Sequence, residues 1–336
     1  MKVAFFCYNL SRLSGAAKQA KSLSEALKKF GVTVELMSLE RKGSEEAIPS
    51  NKLFQIIWLL KFFMASRPDI VHCHGFMWHI VVLAKVFRVP VVLKSTLMGD
   101  DDFGSLLSQK SLVRRLAARW AISCVNVNNA LSVEMSKVNR QYFGGDVVVI
   151  PNGYLGKYYS GGGKSSDLVF LGAVVPRKMV LEAVDFFESK LTSLFDRFLI
   201  VGPVYPQSTE FCQMYSEAVV KRVALSPKVL LLGEVDSEKA RIILSGVEGI
   251  MLLSDREGMP NVVVEGLANG CFVVAGTAAL PYISEGTGAH YLDDKLPEKF
   301  RSWRADASAN YAKSNYCIEK VAKDHFELYA NILNEN

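Results

Sequence analysis

The carboxylates whose spacing is most suggestive of chemistry are Glu257 and Glu265, which lie in the segment 254–270. Strand-like apolar runs flank this segment, residues 249–253 before it and residues 271–275 after it. The pattern indicates a strand, a loop with the first glutamate, a short helix with the second, and another strand.

The short helix is predicted from its two ends, because Pro260 is well suited to begin it and Gly270 to end it. Such a strand–helix–strand unit places its loop at the carboxyl end of a strand, where open α/β sheets bind ligands. The helix N-terminus offers free N–H groups to an anion, and the two carboxylates can accept hydrogen bonds from hydroxyl groups. Phosphates beside hydroxyls describe a nucleotide sugar, which we expect as the ligand.

Length and charge indicate two domains with different partners. The chain has 336 residues, half of them apolar and 22% charged, as expected of a globular protein. Residues 1–150 contain 20 Lys and Arg against 11 Asp and Glu, whereas residues 151–336 contain 19 against 23. A basic first half and a mildly acidic second half therefore differ in the surfaces they present.

Cysteine usage and hydropathy predict a cytoplasmic protein. The six cysteines are scattered, mostly within apolar runs, and show no paired spacing, which is typical of reduced core residues. The N-terminus runs directly into a strand, so no signal peptide is expected. The longest apolar stretch, residues 53–65, is interrupted by Gln55 and Lys61 and is shorter than the roughly 18–20 residues of a membrane span.

Strand-like runs alternate with helical runs along the chain, which favours parallel sheets and an α/β fold. The glycine-rich segment 160–166 indicates a linker between the two halves. The predicted strands of the first half are residues 3–8, 33–38, 70–74, 89–94, 121–126 and 147–150. Those of the second half are residues 168–174, 198–201, 229–232, 249–253 and 272–275.

A series of short motifs occurs in a fixed order along the chain, ending with the two-glutamate segment. The motifs are Ser14–Ala17, Pro68–Gly75, Val149–Gly153, Phe170–Lys178 and Leu231–Val235. In this order the chain resembles glycosyltransferase family 4, a retaining group with the GT-B fold, in which two Rossmann-like domains face a cleft.

The resemblance implies a domain division. Residues 1–155 would form the acceptor-side domain and residues 156–315 the nucleotide-sugar domain. A final helix over residues 316–336 would cross back to the first domain, and its apolar residues recur at helical spacing. Closure of the two domains around the substrates would use a hinge near residues 151–163.

The resemblance also implies roles for the two glutamates and the loop between them. Glu257 would contact hydroxyls of the donor hexose, and Glu265 would hold the ribose of the nucleotide. The backbone amides of Gly258, Met259 and Asn261 would lie along the donor diphosphate. The alternative for Glu265, a solvated surface carboxylate, stays open.

Five further positions complete the implied donor site. Gly15 would let the first loop approach the diphosphate, because a side chain there would block it. Lys178 would place positive charge on the phosphates as the nucleoside diphosphate leaves, with a second interpretation as a surface lysine open. We add the hypothesis that its neighbour Arg177 reaches the same phosphates. Gly233 and Val235 would flank the base. With cations and helix ends neutralising the leaving group, neither a metal nor a cofactor is expected.

Three positions depart from the family pattern. Ala173 stands where an Arg usually follows Gly172, Leu97 where a His is common, and Ser14 where the first of two glycines is usual. Two hypotheses therefore remain. One is an active retaining hexosyltransferase in which Arg177 or a shifted lysine compensates for the missing arginine. The other is a transferase-like subunit that binds nucleotide sugar or a partner enzyme without turnover.

The acceptor side is predicted to include His74, Asp100 and Asp101. His72 and His74 alternate on one strand and therefore share a face, where a metal site is the alternative to hydrogen-bonded strand-end histidines. The run from Asp100 to Asp102 is open to a second interpretation as a cation site, beside that of a polar acceptor loop.

Basic residues interleaved with apolar ones suggest an acceptor in a membrane. Residues 53–67 form one such stretch, and a second contains Lys110, Arg114, Arg115 and Arg119 together with Leu107, Leu112, Leu116 and Trp120. These segments are typical of contact with an anionic membrane or of core helices with a solvated basic side. In the first case the acceptor would be a lipid-linked saccharide at the cytoplasmic face, as in bacterial surface-polysaccharide assembly. Nucleic acid is disfavoured, because aromatic side chains are not interleaved as a stacking platform.

Overall fold

The computed structural model describes residues 1–10, 15–39, 49, 51–108, 111–206 and 210–335. It contains two compact units. Unit 1 comprises Met1–Leu155 and Tyr316–Asn336, and unit 2 comprises Gly156–Asn315. The predicted Ser14 and Lys110 lie outside the described residues.

Unit 1 is a parallel six-stranded sheet in the order β2-β1-β3-β4-β5-β6. Its strands are β1 (Lys2–Cys7), β2 (Thr33–Ser38), β3 (Ile70–His74), β4 (Val91–Lys94), β5 (Val127–Ala130) and β6 (Asp146–Val149). Its helices are α1 (Gly15–Lys28), α2 (Lys52–Ser66), α3 (Trp78–Val86), α4 (Phe103–Leu107), α5 (Leu112–Ser123) and α6 (Val133–Tyr142), with α13 (Ile318–Asn334) at the C-terminus.

Unit 2 is a second parallel six-stranded sheet, in the order β12-β11-β10-β7-β8-β9. Its strands are β7 (Ser165–Leu171), β8 (Arg197–Val201), β9 (Val229–Gly233), β10 (Val247–Leu252), β11 (Phe272–Ala275) and β12 (Gly288–His290). Its helices are α7 (Val180–Phe186), α8 (Gln213–Ala224), α9 (Ser237–Gly246), α10 (Asn261–Ala268) and α11 (Leu296–Ser302), and α12 (Ala305–Tyr316) leads towards α13. The predicted α/β class with two parallel sheets is confirmed.

The final helix, α13, packs on the sheet of unit 1, as expected of the last helix in this fold. Its buried residues recur at helical spacing: Ile318, Val321, Ala322, His325, Tyr329 and Ile332. They join α1 and the first strands in one apolar core. The helix begins against Gly153, where a Cβ atom would lie 2.4 Å from the Cδ1 atom of Ile318. A glycine is therefore required where the chain turns beneath α13.

The opposite face of the unit 1 sheet carries α2, α3 and α5, because right-handed connections to successive strands place them there. Neighbouring helices in this layer contact each other, α2 with α3 and α3 with α5. Within the described residues, the search for helices with the length and hydropathy of a membrane span found none.

One predicted strand was wrong. Residues 121–126 do not form a strand, because α5 continues to Ser123 and the strand begins at Val127. The apolar run Ala121–Val125 resembles a strand in sequence, but its first three residues end an amphipathic helix, and buried Cys124 and Val125 follow that helix. The true strand contains Asn128 and Asn129, which have low β-propensity and are stabilised by buried hydrogen bonds. The short edge strand β12 was not predicted.

Candidate functional site

The loop with Glu257 follows β10, and α10 begins directly after it at Asn261. Helix α10 lies close to its strand because Gly266 has no side chain; a Cβ atom there would be 2.8 Å from the Cγ2 atom of Ile250. Pro260 precedes the first helical residue, as predicted. The hydroxyl of Tyr282 donates a hydrogen bond to the carbonyl of Gly258 and so fixes the loop from a second side.

The structure brings three predicted residues into contact in unit 2. The Nζ atom of Lys178 lies 2.5 Å from Oε1 of Glu257, and the Nη1 atom of Arg177 lies 3.1 Å from the same oxygen. The Glu257 side chain is only 9% exposed, and the two cationic side chains are each 15% exposed. Both cations lie in a short 3-10 turn after β7. The result is a shielded carboxylate between two positive charges at the carboxyl edge of the sheet.

Arg177 has a further partner that the sequence did not predict, Glu210 in the loop after β8. The guanidinium donates from Nε to Oε1 of Glu210 at 2.7 Å and from Nη2 to Oε2 at 3.0 Å. Burial acts to lower the pKa of Arg177, but the hydrogen bonds to Glu210 and the charge of Glu257 outweigh it and raise that pKa. The same hydrogen bonds lower the pKa of Glu210. No sequence pattern marked Glu210, since it is an isolated acid in a loop.

The remaining predicted donor-side residues lie at the same edge of the unit 2 sheet. Gly233 ends β9 with φ +70, and its carbonyl accepts a hydrogen bond from Gly202 at 2.7 Å. Val235 follows it and is half-buried. Gly258 and Met259 are buried, whereas Asn261 and Glu265 are half-buried at the first turns of α10.

The loop at Gly172 contains one of the departures from the family pattern. Gly172 has φ +157, and a Cβ atom there would lie 3.9 Å from the Cε atom of Lys178. Ala173 is the next residue and is half-buried. The position of the missing arginine is therefore near Lys178 in this loop.

In unit 1, the structure places His74 inside the protein. Its side chain stacks on His72 with ring centroids 4.5 Å apart, and its residue surface is 4% exposed. Burial and the charge of Lys94 hold the pKa of His74 well below 6.5. The Nε2 atom has no hydrogen-bond partner among the described residues. Gly15, the other predicted residue at this edge, is the exposed first residue of α1.

The aspartates after β4 differ from one another in their surroundings. Asp100 is exposed. Asp101 is buried and accepts hydrogen bonds from the backbone of Thr96 at 2.7 Å and of Leu97 at 2.8 Å. Burial raises the pKa of Asp101 to about 6, against the opposing effect of these hydrogen bonds. Asp102 caps α4 through Ser105, so Asp101 and Asp102 hold the loop together.

A buried polar layer in unit 1 was not predicted as a group. Cys7, His74, Lys94 and Asn129 are in register on adjacent strands, and Asn129 is hydrogen-bonded to His325 of α13 at 3.1 Å. Burial lowers the pKa of Lys94 to about 8. In the sequence, this layer is indicated by Lys94, a charged residue directly after the apolar run Val91–Leu93.

Two further features bear on possible ligands. Among the residues that the structure describes, no group of three or more His, Cys, Asp or Glu side chains is arranged to hold a metal ion. A cavity of about 320 Å³ in unit 2 is lined by residues 157–163 together with Arg241, Ser245 and Asn269, and it includes none of the predicted site residues.

Comparisons with solved structures agree on the fold. Sucrose-phosphate synthase from Thermosynechococcus elongatus is 15% identical over all of both chains, with a TM-score of 0.76. Alr3699/HepE from Anabaena, solved in complex with UDP-glucose, is 14% identical over all of both chains, with a TM-score of 0.68. WaaG, a glycosyltransferase involved in lipopolysaccharide biosynthesis, is 13% identical over 95% of this chain and 98% of its own, with a TM-score of 0.67. At these identities the likeness shows the GT-B fold.

Comparisons of sequence identify the family. No curated protein sequence is similar enough to count as a match. The model of Glycosyltransferase Family 4 matches residues 13–154, and the model of Glycosyl transferases group 1 matches residues 165–302. The two models cover both units and most of the chain, in the order in which the motifs occur. The chain therefore belongs to the family 4 type of glycosyltransferases with the GT-B fold.

Proposed function

We propose that this glycosyltransferase is a retaining enzyme that moves a hexose from a UDP- or GDP-linked sugar to a saccharide or lipid-linked saccharide, in polysaccharide or lipopolysaccharide biosynthesis. The observation that carries the proposal is the contact of Glu257 with Lys178 beside the N-terminus of α10. A carboxylate, a cation and a helix end together match the hydroxyls and the diphosphate of such a donor.

Each group would have a separate task in the donor complex. Lys178 would exchange Glu257 for the diphosphate and stabilise the charge that develops on it as the bond to the sugar breaks. Glu257 would then be open to accept hydrogen bonds from the hexose hydroxyls. Glu265 would accept from the ribose. The backbone amides of Gly258, Met259 and Asn261 and the approach at Gly15 would complete the diphosphate site, and residues 233–235 would flank the base.

We propose that the reaction requires neither a metal nor a cofactor. Lys178 and the N-terminus of α10 would neutralise the leaving diphosphate in place of a divalent cation. Turnover in the presence of EDTA should equal turnover with added Mg²⁺ or Mn²⁺. A rate that depends on the added cation would contradict this part of the proposal.

The second candidate is a subunit that binds nucleotide sugar or a partner enzyme without turnover. Ala173 and Leu97 favour it, because they occupy positions where the family usually has an arginine and a histidine. Thermal stabilisation by UDP-, GDP- and ADP-sugars tests for binding, since a ligand of the native state raises its melting temperature. Release of nucleoside diphosphate with an acceptor present then distinguishes an enzyme from a binding protein.

We propose that the acceptor is presented at an anionic lipid surface, with the layer of α2, α3 and α5 as the contacting face. Large apolar side chains are exposed on all three helices, among them Phe54 (61%), Trp78 (54%) and Val113 (76%). The three helices contain no Asp or Glu, whereas α5 contributes Arg114, Arg115 and Arg119. Apolar side chains with cations and no acids complement an anionic bilayer rather than an acidic protein partner, whose surface is less apolar.

Flotation with vesicles tests this contact. We expect binding to phosphatidylglycerol-containing vesicles and at least a tenfold loss when the three α5 arginines are changed to Gln. The matched control variant carries Gln in place of Lys29, Lys320 and Lys323, which lie on the opposite face of the sheet. This variant should bind the vesicles as wild type does. Equal binding of all three proteins, or binding to purely zwitterionic vesicles, would contradict the proposal.

We propose that the acceptor contacts the exposed Asp100 and, further inside the protein, the buried His74 and Asp101. A cytoplasmic location is proposed as well, because the six cysteines form no disulfide in the described part of the chain and reduced thiols are typical of that compartment.

A further inference from the structure

Arg177 lies at the meeting point of three loops of unit 2. The strands β10, β7 and β8 are neighbours in the sheet. Arg177 belongs to the loop after the central strand, β7. Its guanidinium contacts Glu210 in the loop after β8, and Arg256 and Glu257 in the loop after β10. One side chain therefore joins the ends of three adjacent strands.

Every nitrogen of this guanidinium is already engaged. Nε and Nη2 bind the two oxygens of Glu210, while Nη1 donates to the carbonyl of Arg256 at 2.8 Å and lies 3.1 Å from Glu257. The loop is tied back as well, since the amide of Asp255 donates to the carbonyl of Arg177 at 3.2 Å. In the part of the chain that the structure describes, the ammonium group of Lys178 has one hydrogen-bonding partner, Glu257. Lys178 can therefore turn to a ligand by breaking its contact with Glu257 alone. Arg177 would have to break its contacts with Glu210, Arg256 and Glu257.

The arrangement would also leave Glu257 with one cation when Lys178 moves away. Two cations share its Oε1 atom in a position that is largely shielded from water. If Lys178 moves to a phosphate, Glu257 would be left as a shielded, unpaired charge unless a second cation remains. The bidentate contact with Glu210 holds Arg177 in the orientation that supplies that cation.

We infer that Arg177 and Glu210 are positioning residues, which hold Glu257 towards the donor hexose while Lys178 binds the diphosphate. The inference rests on the proposed function of Glu257. It assigns Arg177 a different task from the missing arginine at position 173, because its guanidinium is committed to the loops. It also gives Glu210, an acid with no assigned role, a part in sugar recognition.

The test compares a nucleotide sugar with its nucleoside diphosphate. Calorimetric titration would use UDP-glucose with UDP, and GDP-mannose with GDP, against wild type, Arg177→Met, Glu210→Gln and Lys178→Met. We expect Arg177→Met and Glu210→Gln to bind the nucleotide sugar at least tenfold more weakly and the nucleoside diphosphate as wild type does. Lys178→Met should weaken both. The control Glu217→Gln, which removes a partly exposed acid of α8, should change neither.

Two outcomes would overturn the inference. Equal weakening of sugar nucleotide and nucleoside diphosphate by Arg177→Met would make Arg177 a phosphate-binding cation. Unchanged affinities in Glu210→Gln would remove Glu210 from the site.

A double-mutant cycle on the melting temperature of the unliganded protein tests the Arg177–Glu210 contact by itself. We expect the two substitutions to be non-additive, and additive effects would mean that the contact is absent. If wild type binds none of the four nucleotides, the proposed function fails, and the positioning role fails with it. A non-additive cycle would in that case show that the contact exists and that only its assignment to donor recognition was wrong.

Discussion

Individual side chains of this protein show how burial changes what a charge can do. Glu257 is shielded from water but has two cations on one oxygen, so its charge is compensated before any ligand binds. Lys94 is more deeply buried, at 3% exposure, and this burial lowers its pKa. The paired Glu257 can exchange one of its cations for a ligand, whereas the buried charge of Lys94 reduces the stability of the native state.

At Lys178 we predict a large effect on turnover with little effect on folding. Lys178→Met should lower kcat by about 100- to 1,000-fold, in line with the loss of one group that stabilises developing negative charge. The melting temperature should change little, because Arg177 remains paired with Glu257. Release of nucleoside diphosphate would be measured beside the exposed control Lys239→Met. Unchanged kcat in Lys178→Met would remove this lysine from the chemistry.

At Lys94 we predict that a substitution stabilises the protein. Lys94→Met should raise the free energy of unfolding at pH 7 by about 1–3 kcal/mol, because a buried lysine that pairs with no acid among the described residues weakens the native state. Burial lowers the pKa of Lys94 to about 8 in the native state, below the ordinary lysine value of 10.5. Wild type should therefore gain stability between about pH 8 and pH 10.5, and the advantage of the variant should fade over that range.

Urea unfolding at pH 7 and pH 10 would measure this difference for Lys94→Met. Tryptophan fluorescence is a suitable probe, since Trp58, Trp78 and Trp120 lie in unit 1 and only Trp303 lies in unit 2. A variant less stable than wild type at pH 7 would show that the ammonium group has a favourable partner.

Among the elements, α10 illustrates which features local sequence determines. Its bounds were predicted from Pro260 and Gly270, because the fixed φ of proline and the positive φ of glycine act within a few residues. The end of α5 was not predicted, because the apolar run after Trp120 fits a helix or a strand equally well by composition. There the register of the sheet, in which Val127 pairs with Val92, decided the outcome.

At Gly266 we predict that one methyl group disturbs the site. Gly266→Ala should destabilise unit 2 by about 1–3 kcal/mol, because the new Cβ atom would lie 2.8 Å from Ile250 and push α10 from its strand. Affinity for the nucleotide sugar should fall as well, since α10 carries Glu265 and its N-terminus borders the Glu257 loop.

The matched control is Gly246→Ala at the end of α9. A Cβ atom there meets nothing within 4 Å, so the variant should be as stable as wild type or slightly more stable. Differential scanning calorimetry would compare the two variants. Equal melting temperatures of the two variants would mean that α10 can move away from its strand with no loss of stability.

On the scale of the whole molecule, the two units differ in their sensitivity to acid. Three buried histidines lie in unit 1, and burial lowers the pKa of His72, His74 and His325, the last to about 3. The charge of Lys94 adds to the effect at His74 and His325. Among the described residues of unit 2, the histidine is His290, which is partly exposed at the edge of the sheet.

We therefore predict that acid destabilises unit 1 first. A histidine whose native pKa is lowered contributes stability that is complete above about pH 6.5 and is lost as the pH falls towards the native value. Each buried histidine should account for a loss of up to about 2 kcal/mol by pH 5. Asp101 acts in the opposite direction, since its raised pKa of about 6 favours the native state as it protonates.

Calorimetry between pH 7 and pH 4.5 would follow the unfolding of both units. The transition of unit 1, identified by tryptophan fluorescence, should move to lower temperature more steeply than that of unit 2. His290→Gln should leave both profiles unchanged. Parallel shifts of the two transitions would show that the histidine layer does not set the acid limit.

The sequence by itself determined the parallel α/β architecture of both sheets, which follows from periodic apolar patterns and turn residues. The order of its motifs determined the family, and resemblance to that family implied the return of the last helix to unit 1. The sequence also singled out Glu257, Lys178 and Arg177, whose contact the structure shows. Only the tertiary structure decided that Glu210 holds Arg177, and that Lys94 lies in register with His74 and Asn129. The first contact joins residues 33 positions apart, and the second lies across neighbouring strands. They depend on which strands are adjacent in the sheet, and no local pattern encodes that adjacency.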